Sequence, residues 1–596
     1  MNKEKQSKAS FHLWKFLKPY KSSFIIACLT IVIENALEIS LPFLMNILLK
    51  NGMKEQVDGS YTYDAPFVYM IGGIMLAFAV LAFFLGLASA KFTAKAGRGL
   101  GYELRKEEYK KIQEFSFSNL DEFRINSLVT RMTNDVQIIS DTFCQVLRQL
   151  LRGPFQLVFA LIFAFIISKD LTIVFAIVIP VLAILLTIIV MLSKPKFYRL
   201  QASLDGINRT TEESLTAMKL VRANAKKDYE IEKFTNVNNN VKKIGNSALS
   251  LVALNMGIMQ FMTYACMVGI LLIGGMSVLE NWHPQITATQ TAANIASFLS
   301  YATQTLASLM MISMVFMSFT RASASITRIK EVFVSESEII DKKDSDLKVE
   351  DGSITFSHVY FKYRSSAKEN VLNDINFEIK DGETVGILGE TGSSKSTLIY
   401  LIERFYDVTD GEITISDHNI KDYPLSELRN QISISFQSPR LFTGTVKENL
   451  LWGNPNATQD EIEEACKIAC CHDFIVNSLS KGYDTPISQG GNNVSGGQRQ
   501  RLCIARALIR KPKILILDDS FSALDRLTES QLKDNLRSKL PHMTKIIISQ
   551  KVSAIQDADK IIVLDDGKIN NIGTSEWLKE HDAIYQDIYS IQKEGH

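Results

Sequence analysis

Two glycine-containing motifs hold the side chains of this chain whose types and spacing suit phosphate chemistry. The first follows the apolar run Val385–Leu388 and contains, in order, Gly389, Glu390, Thr391, Gly392, Ser393, Ser394, Lys395, Ser396 and Thr397. A strand that feeds such a turn and then a helix can wrap nucleotide phosphates in backbone N–H groups. We expect Lys395 to reach the β- and γ-phosphates and Ser396 to ligate Mg²⁺.

The second motif lies about a hundred residues later and consists of Ser495, Gly496, Gly497 and Gln498. A serine and two glycines at the start of a helix expose N–H groups and the positive end of the helix dipole to an anion. The motif therefore predicts a second place on the chain where a phosphate can be contacted.

A buried strand that ends in acidic residues supplies the remaining chemistry. The apolar run Ile514–Leu517 leads into Asp518 and Asp519. An acid at the end of such a strand lies beside the phosphate loop, where Asp518 can hold Mg²⁺ through water. The next residue, Asp519, would face the water that attacks the nucleotide.

The rest of the chain divides into a membrane-type half and a soluble half. The 596 residues are too many for one core, and the formal net charge of +1 argues against a nucleic-acid-binding surface. Residues 10–21 have the pattern of an interfacial amphipathic helix, here called the elbow helix. Six apolar segments are long enough to span a bilayer, near residues 24–49, 67–92, 143–167, 171–193, 251–279 and 294–320.

The charge between these segments indicates their orientation. The stretches 93–142 and 194–250 are long, helical in pattern and rich in Lys and Arg, whereas the other connections are short and carry few basic residues. By the positive-inside rule, the long stretches and both termini are expected in the cytoplasm. We predict membrane helices that continue into the cytosol, with hairpins near 116–124 and 216–229 that contact the soluble domain.

The two halves are joined by an acidic, polar linker over residues 334–350, which follows a membrane domain of residues 1–333. From residue 353, short β-rich runs alternate with helical stretches, which predicts an α/β domain over residues 351–596. The expected fold is a six-helix, all-α transmembrane domain followed by an α/β P-loop nucleotide-binding domain.

In sequence order, the motifs resemble those of the ATP-binding cassette (ABC) family. Residues 353–596 are similar to an ABC nucleotide-binding domain, and residues 1–333 resemble the membrane domain of an exporter-type half-transporter with the type I (or type IV) exporter fold. The family's motifs occur here as Tyr363, the loop 389–396, Gln437, Val494–Gln498, Asp518, the turn Ser522–Asp525, and Ser549–Gln550.

The resemblance implies ATP and Mg²⁺ as ligands and assigns roles to these positions. Tyr363 would stack on adenine, and Ser396, Gln437 and Asp518 would hold the metal. Asp519, Gln550 and Gln437 would occupy the catalytic positions. In this family the phosphate loop faces the signature of a second nucleotide-binding domain, so Ser495–Gln498 and Asp525 would contact a nucleotide together with a partner chain.

Three positions depart from the family pattern. Asp519 stands where the family has Glu, Gln550 where it has His, and Ser394 where it has Gly. Asp519 is one methylene shorter, Gln550 cannot carry charge, and Ser394 lacks the backbone freedom of glycine. With an intact Ser-Gly-Gly-Gln motif, this combination resembles the degenerate-site subunit of heterodimeric bacterial multidrug exporters.

The resemblance implies ATP-driven efflux of small amphipathic drugs or xenobiotics across the bacterial plasma membrane, by a multi-pass protein whose spans contact lipid. A second half-transporter would carry the consensus ATP site, and this chain's own site would hydrolyse ATP weakly. Two alternatives stay open. One is a lipid or peptide exporter with the same engine, and the other is a regulatory ATP-binding subunit that does not hydrolyse ATP.

Polar and flexible residues within the spans offer candidates for a substrate cavity. Glu34 and Glu38 lie one helical turn apart, which suits cationic substrates or, equally, a polar seam between helices. Arg148 and Arg152 either attract anionic head groups or pair with carboxylates. The last span is rich in flexible side chains that suit a promiscuous apolar site as well as ordinary packing, namely Met310, Met311, Met314, Phe316, Met317 and Phe319.

Overall fold

The computed structural model describes residues 12–55, 61–279, 287–364 and 366–594. It consists of two compact units. The first comprises Met1–Gln113 and Ile125–Ser335, and the second comprises Glu114–Arg124 and Glu336–His596. The part of the elbow-helix prediction that concerns residues 10 and 11 lies outside the described residues.

Among its described residues, the first unit is mainly helical and has one antiparallel strand pair, β1 (Met53–Glu55) and β2 (Tyr61–Tyr63). A 3₁₀ turn covers Lys18–Tyr20 and a π-helical turn covers Arg131–Asp135. The α-helices up to residue 334, of which α4 belongs to the second unit, are α1 Leu13–Leu17, α2 Lys21–Gly52, α3 Ala65–Gln113, α4 Phe117–Phe123, α5 Ile125–Thr130, α6 Val136–Ile167, α7 Lys169–Thr216, α8 Met218–Ala223, α9 Lys227–Leu279 and α10 Ala288–Val334.

Six helical segments among the described residues are long and apolar enough to cross a membrane, which confirms the predicted number. A bilayer core needs about 20 helical residues, yet α3, α7 and α9 run for 49, 48 and 53 residues. These helices therefore continue well past one bilayer thickness, as the helical pattern of the long basic stretches predicted.

The helices of the first unit pack through a core that includes Phe175, Leu182, Phe298 and Tyr301. The Tyr301 hydroxyl donates to the Ile39 carbonyl at 3.0 Å, so a buried polar group joins α10 to α2. Many large apolar side chains face outward, which is the surface expected of helices that contact lipid or other subunits, for example Leu76, Phe83, Ile184 and Leu272.

Within the elbow helix predicted over residues 10–21, the α-helix α1 covers only Leu13–Leu17, before the 3₁₀ turn Lys18–Tyr20, and it has one buried and one exposed face. Phe16 and Leu17 are buried against α3, α6 and α10, whereas Trp14 is 67% exposed. An amphipathic helix of this kind has one face on the bundle and leaves an aromatic ring outside it.

The second unit is an α/β domain with two main sheets. Its elements from residue 354 onward are β3 Ile354–Phe361, β4 Leu372–Ile379, β5 Thr384–Leu388, α11 Lys395–Ile402, β6 Asp410–Ile415, β7 His418–Asn419, α12 Leu425–Gln431, β8 Ile432–Ser435, β9 Gly444–Thr445, α13 Val446–Leu451, α14 Gln459–Ile468, α15 His472–Ser478, β10 Pro486–Ile487, α16 Gly496–Ile509, β11 Ile514–Asp518, α17 Arg526–Lys539, β12 Thr544–Ile548, α18 Val552–Ile555, β13 Lys560–Asp565, β14 Lys568–Gly573, α19 Ser575–His581 and α20 Ala583–Glu594.

The larger sheet places the ends of four motif-bearing strands at one edge. Its order is β14-β13-β5-β12-β11-β8, and all neighbours are parallel except the edge pair β13 and β14. The smaller sheet, β4-β3-β6-β7, is antiparallel. Strands β11 and β12 are buried throughout, as near-continuous apolar runs in parallel sheets are. In such sheets ligands bind outside the carboxyl ends of the strands.

The segment Glu114–Arg124 packs within the second unit. The Phe117 and Phe405 rings lie 4.4 Å apart, and the Tyr406 hydroxyl donates to an Asp121 carboxylate oxygen at 2.8 Å. This places the first predicted hairpin against the α/β domain. The second predicted hairpin, residues 216–229, belongs to the first unit, and its contact with the soluble domain stays a prediction.

Candidate functional site

The carboxyl edge of the larger sheet carries a cavity of about 300 Å³. The residues that line it lie at the ends of four strands. Strand β5 leads into the phosphate loop, β8 precedes Gln437, β11 ends at Asp518, and β12 precedes Gln550. Residues far apart in sequence thus meet at one place. The lining consists of Thr391, Gly392, Ser394, Lys395, Ser396, Thr397, Gln437, Asp518, Asp519, Ile548, Ser549 and Gln550.

Lys395 is held by the loop that carries it. Its ammonium donates to the carbonyls of Gly389 at 2.7 Å and Glu390 at 2.6 Å, and to Ser393 Oγ at 3.3 Å. Burial lowers the pKa of Lys395, and the carboxylates of the site oppose that shift only in part. A buried cation bonded only to neutral groups of its own loop is well prepared to exchange those carbonyls for phosphate oxygens.

Ser394 adopts the backbone conformation that the family's glycine would supply. Its φ is +72° and its ψ is +23°, in the left-handed region, immediately before α11. A residue with a Cβ loses about 1 kcal/mol or more in that region. The loop is therefore formed despite the substitution, with local strain at Ser394.

Ser396 and Asp518 together form a pair of oxygen ligands. The Ser396 hydroxyl donates to Asp518 Oδ2 at 3.3 Å, and Asp518 is only 3% exposed. Burial raises the pKa of the Asp518 carboxyl, and the charge of Asp519 adds to the effect. A hydroxyl and a buried carboxylate that gains from a nearby cation are the donor set that Mg²⁺ prefers, so these residues fit the implied metal.

The three predicted catalytic positions line the same cavity. Asp519 follows Asp518 with a φ of +45°, and its N–H donates to the Ile548 carbonyl at 2.9 Å. This bond ties the end of β11 to the end of β12, two residues before Gln550. Gln437 and Gln550 are both exposed at the cavity. The altered side chains thus lie beside the intact phosphate and metal ligands.

Tyr363 lies next to the cavity and is not part of its lining. Its hydroxyl forms a 2.8 Å hydrogen bond with Thr397 Oγ1, and its ring meets Tyr406 edge-on at 5.1 Å. Tyr406 in turn bonds Asp121 of α4. No local pattern in the sequence marks Tyr406, since its contacts come from chain segments 43 and 285 residues away.

Ser495–Gln498 form a well-capped helix start. Ser495 Oγ accepts a bond from the Gln498 N–H at 3.2 Å, and Gln498 Oε1 accepts one from the Ser495 N–H at 3.0 Å. This reciprocal pair is a capping box. The first turn of α16 therefore presents its N–H groups in a fixed geometry.

The two glycines of this turn differ in their surroundings. A Cβ added to Gly496 would meet no atom within 4 Å, whereas one added to Gly497 would meet the Ala523 carbonyl oxygen at 2.9 Å. Asp525 caps α17 by accepting from the Thr528 N–H at 2.9 Å. These residues are not among those that line the cavity. The phosphate-loop cavity and the Ser495–Gln498 turn are therefore two separate surfaces that could contact a phosphate.

The carboxylates of the first span are paired with arginines. Glu34 is 5% exposed, and its carboxylate accepts from Ser89 Oγ at 3.0 Å. Arg152 lies 3.5 Å and Arg148 3.6 Å from Glu34 Oε1, and Arg152 also pairs with Glu38. Two positive charges therefore balance two negative ones, which supports a polar seam between helices rather than an open acidic patch.

The methionine-rich last span has mixed surroundings. Met310, Met311 and Met314 are half-buried, and Phe319 is exposed. Nothing is described of the side chains of Phe316 and Met317. The described residues contain no group of three His, Cys, Asp or Glu side chains that could hold a metal ion elsewhere.

Comparisons with known proteins cover nearly the whole chain. The family model described as "ABC transporter transmembrane region" matches residues 24–287, and the model "ABC transporter" matches residues 372–522. YfiB of Bacillus subtilis (strain 168), an uncharacterized ABC transporter ATP-binding protein, is 35% identical over 577 residues, or 97% of each chain.

Two further likenesses concern a relative with a named activity and a solved structure. The ATP-dependent lipid A-core flippase of Haemophilus influenzae (strain 86-028NP) is 29% identical over 586 residues, which are 98% of this chain and 97% of that protein. A bacterial Atm1-family ABC exporter with ATP bound has a TM-score of 0.81 at 22% identity, covering 96% of this chain and 99% of that one. The likeness confirms the predicted fold of a helical transmembrane domain followed by an α/β nucleotide-binding domain.

Proposed function

Since this chain belongs to the ABC transporter family, we propose that it is one half of a heterodimeric, ATP-driven exporter of amphipathic drugs or xenobiotics. Its own phosphate loop would bind ATP and hydrolyse it weakly. Its Ser495–Gln498 turn would complete the working site of a partner half-transporter. Both termini and the α/β domain would lie in the cytoplasm.

The observation that carries this proposal is the composition of the cavity. Lys395, Ser396 and Asp518 retain the phosphate and metal contacts, while Asp519 and Gln550 replace the family's Glu and His in the same cavity. The residues that bind phosphate and metal are therefore retained, whereas the residues at the catalytic positions are substituted. A site with intact binding residues and altered catalytic residues is suited to binding ATP without rapid hydrolysis.

Each side chain has a definite task in this scheme. Lys395 exchanges the carbonyls of its loop for the β- and γ-phosphates, and Ser396 with Asp518 holds Mg²⁺, which would neutralise phosphate charge. The Asp519 side chain is one methylene shorter than glutamate, so its carboxylate lies farther from the attacking water. A displacement of about 1 Å can lower a rate on the order of 10²-fold. Gln550 donates a hydrogen bond to the γ-phosphate but supplies no charge.

The turnover of the purified single chain in lipid nanodiscs tests this assignment. We expect very slow hydrolysis, and we expect Asp519→Glu combined with Gln550→His to raise the rate at least about 10-fold by restoring reach and charge. Asp519→Asn with Gln550→His is the matched control, since it restores only the switch residue. A wild-type rate equal to that of the restored variant would refute the weak-site assignment.

A second candidate cargo is an anionic amphiphile such as a lipid. The Arg148 side chain is 44% exposed while that of its partner Glu34 is 7% exposed, so the cation and not the carboxylate is presented outward. The relative from Haemophilus influenzae is named as a lipid A-core flippase. Stimulation of the heterodimer's ATPase by anionic lipids but not by cationic dyes would favour this cargo, and Arg148→Gln should then remove the stimulation.

A further inference from the structure

The C-terminal helix α20 is firmly anchored where it begins. Asp582 is fully buried, and its Oδ1 accepts from the Tyr585 N–H at 2.7 Å. Its Oδ2 accepts from the side chains of Asn570 and Asn571 on β14 at 2.7 and 2.8 Å. Charge-assisted bonds of this kind are among the stronger ones in proteins. The start of α20 is therefore fixed to the edge strand of the larger sheet.

The far end of α20 reaches the loop that carries Gln550. The Gln592 side chain donates from Nε2 to the Gln550 carbonyl at 2.7 Å, and its Oε1 accepts from the Val552 N–H at 2.9 Å. One amide thus bridges the backbone on both sides of Lys551. Val552 begins the one-turn helix α18, whose first N–H groups have no partner within the helix.

These two bonds fix the peptide whose side chain lines the nucleotide cavity. Gln550 itself is exposed at that cavity, between β12 and α18. Ser549, which precedes Gln550, also stabilises the loop, because its hydroxyl accepts a hydrogen bond from the Lys551 N–H at 2.9 Å. Since shifts of about 1 Å in a phosphate-contacting group have large effects, a bond to its carbonyl controls how well it is placed.

We propose that Gln592 is a positioning residue that sets Gln550 against the terminal phosphate of a bound nucleoside triphosphate. The C-terminal helix thereby contributes to the discrimination of ATP from ADP, because ADP lacks the phosphate that Gln550 would meet. This role is independent of how fast the site hydrolyses ATP and of which partner chain completes it. The opposing explanation is that α20 only packs, through Tyr585, Ile588 and Tyr589, against the core of the domain.

The ratio of two dissociation constants separates these explanations. The full chain in lipid nanodiscs is titrated with ADP and with a non-hydrolysable ATP analogue, both with Mg²⁺. Methionine has nearly the same shape as glutamine but cannot make these hydrogen bonds. We therefore expect Gln592→Met to raise the dissociation constant of the ATP analogue about 3- to 10-fold and that of ADP less than 2-fold. Gln586→Met is the matched control, because Gln586 is exposed on the same helix, and both its dissociation constants should equal the wild-type values.

Two further variants test the route through Gln550. Gln592→Glu keeps an acceptor for Val552 but loses the donor to the Gln550 carbonyl, so it should shift the ATP-to-ADP ratio in the same direction as Gln592→Met. In a Gln550→Ala background, Gln592→Met should leave the ratio unchanged, since the two residues act in series. Three results would each overturn the proposal. The first is an equal rise of both dissociation constants in Gln592→Met, and the second is a wild-type ratio in Gln592→Glu. The third is a change of the ratio by Gln592→Met in the Gln550→Ala background as large as in the wild-type background.

Discussion

The phosphate-loop cavity and the Ser495–Gln498 turn both offer backbone N–H groups at the start of a helix, but only the cavity departs from ideal geometry. The cavity holds Ser394 at a positive φ and carries the altered residues Asp519 and Gln550. The turn has a complete capping box and an unobstructed Gly496. Within one chain, the turn keeps the residues of the family motif, while the cavity carries Ser394, Asp519 and Gln550 in place of the family's Gly, Glu and His.

The largest effect is expected from a charge placed at the intact turn. Gly496→Asp should lower ATP turnover of the assembled heterodimer at least about 100-fold, because the carboxylate would face the γ-phosphate held by the partner. A side chain at Gly496 has open space, so the effect would be electrostatic rather than a packing defect. Gly496→Ala is the control and should keep most of the turnover, whereas a comparable loss in Gly496→Ala would show that shape, and not charge, matters there.

Changes in the chain's own cavity should have smaller consequences for the same turnover. We expect Asp519→Ala to lower the ATPase rate of the proposed heterodimer by no more than about 3-fold, since under the proposed function this side chain contributes little to hydrolysis. Lys395→Ala should leave a measurable fraction of the turnover, because under the proposed function it weakens ATP binding at the less active of two sites. If Lys395→Ala proved more damaging than Gly496→Asp, this chain would house the working site.

The smallest effect concerns the strain at Ser394. Ser394→Gly should raise the free energy of unfolding by roughly 1 kcal/mol through relief of the left-handed conformation. The affinity for ATP with Mg²⁺ should stay unchanged or tighten by no more than about 5-fold. Thermal unfolding and nucleotide titration of the full chain measure both quantities, and Ser394→Ala, which removes the hydroxyl but keeps the strained Cβ, is the control and should stay near the wild type. A destabilised Ser394→Gly protein would mean that the serine makes a contact which outweighs its strain.

The sequence predicted most of both regions because their signals are local. A phosphate loop lies between β5 and α11, an acid ends β11, and a serine caps α16, and each pattern is contained in about ten consecutive residues. The six apolar spans are equally local, since each needs only about 20 apolar residues in a row. The parallel register of the sheet then brings the strand ends together without further information.

The features that could not be predicted depend on contacts between distant segments. Gln592 and Gln550 are 42 residues apart, and nothing in the C-terminal sequence marks a glutamine as the support of a loop. The pairing of Glu34 and Glu38 with Arg152 joins α2 to α6 across more than 110 residues. The charges were visible in the sequence, but whether they would face a substrate or one another depended on how the helices pack.

The fate of the γ-phosphate at each site tests the central claim most directly. The assembled heterodimer is allowed several turnovers with a photoreactive ATP analogue labelled on either the α- or the γ-phosphate, then crosslinked, and its chains are separated. We expect this chain to retain α- and γ-label in nearly equal amounts, because under the proposed function its cavity holds ATP without hydrolysing it, while the partner retains mainly α-label. Loss of γ-label from this chain as fast as from the partner would contradict the division of roles between the two sites.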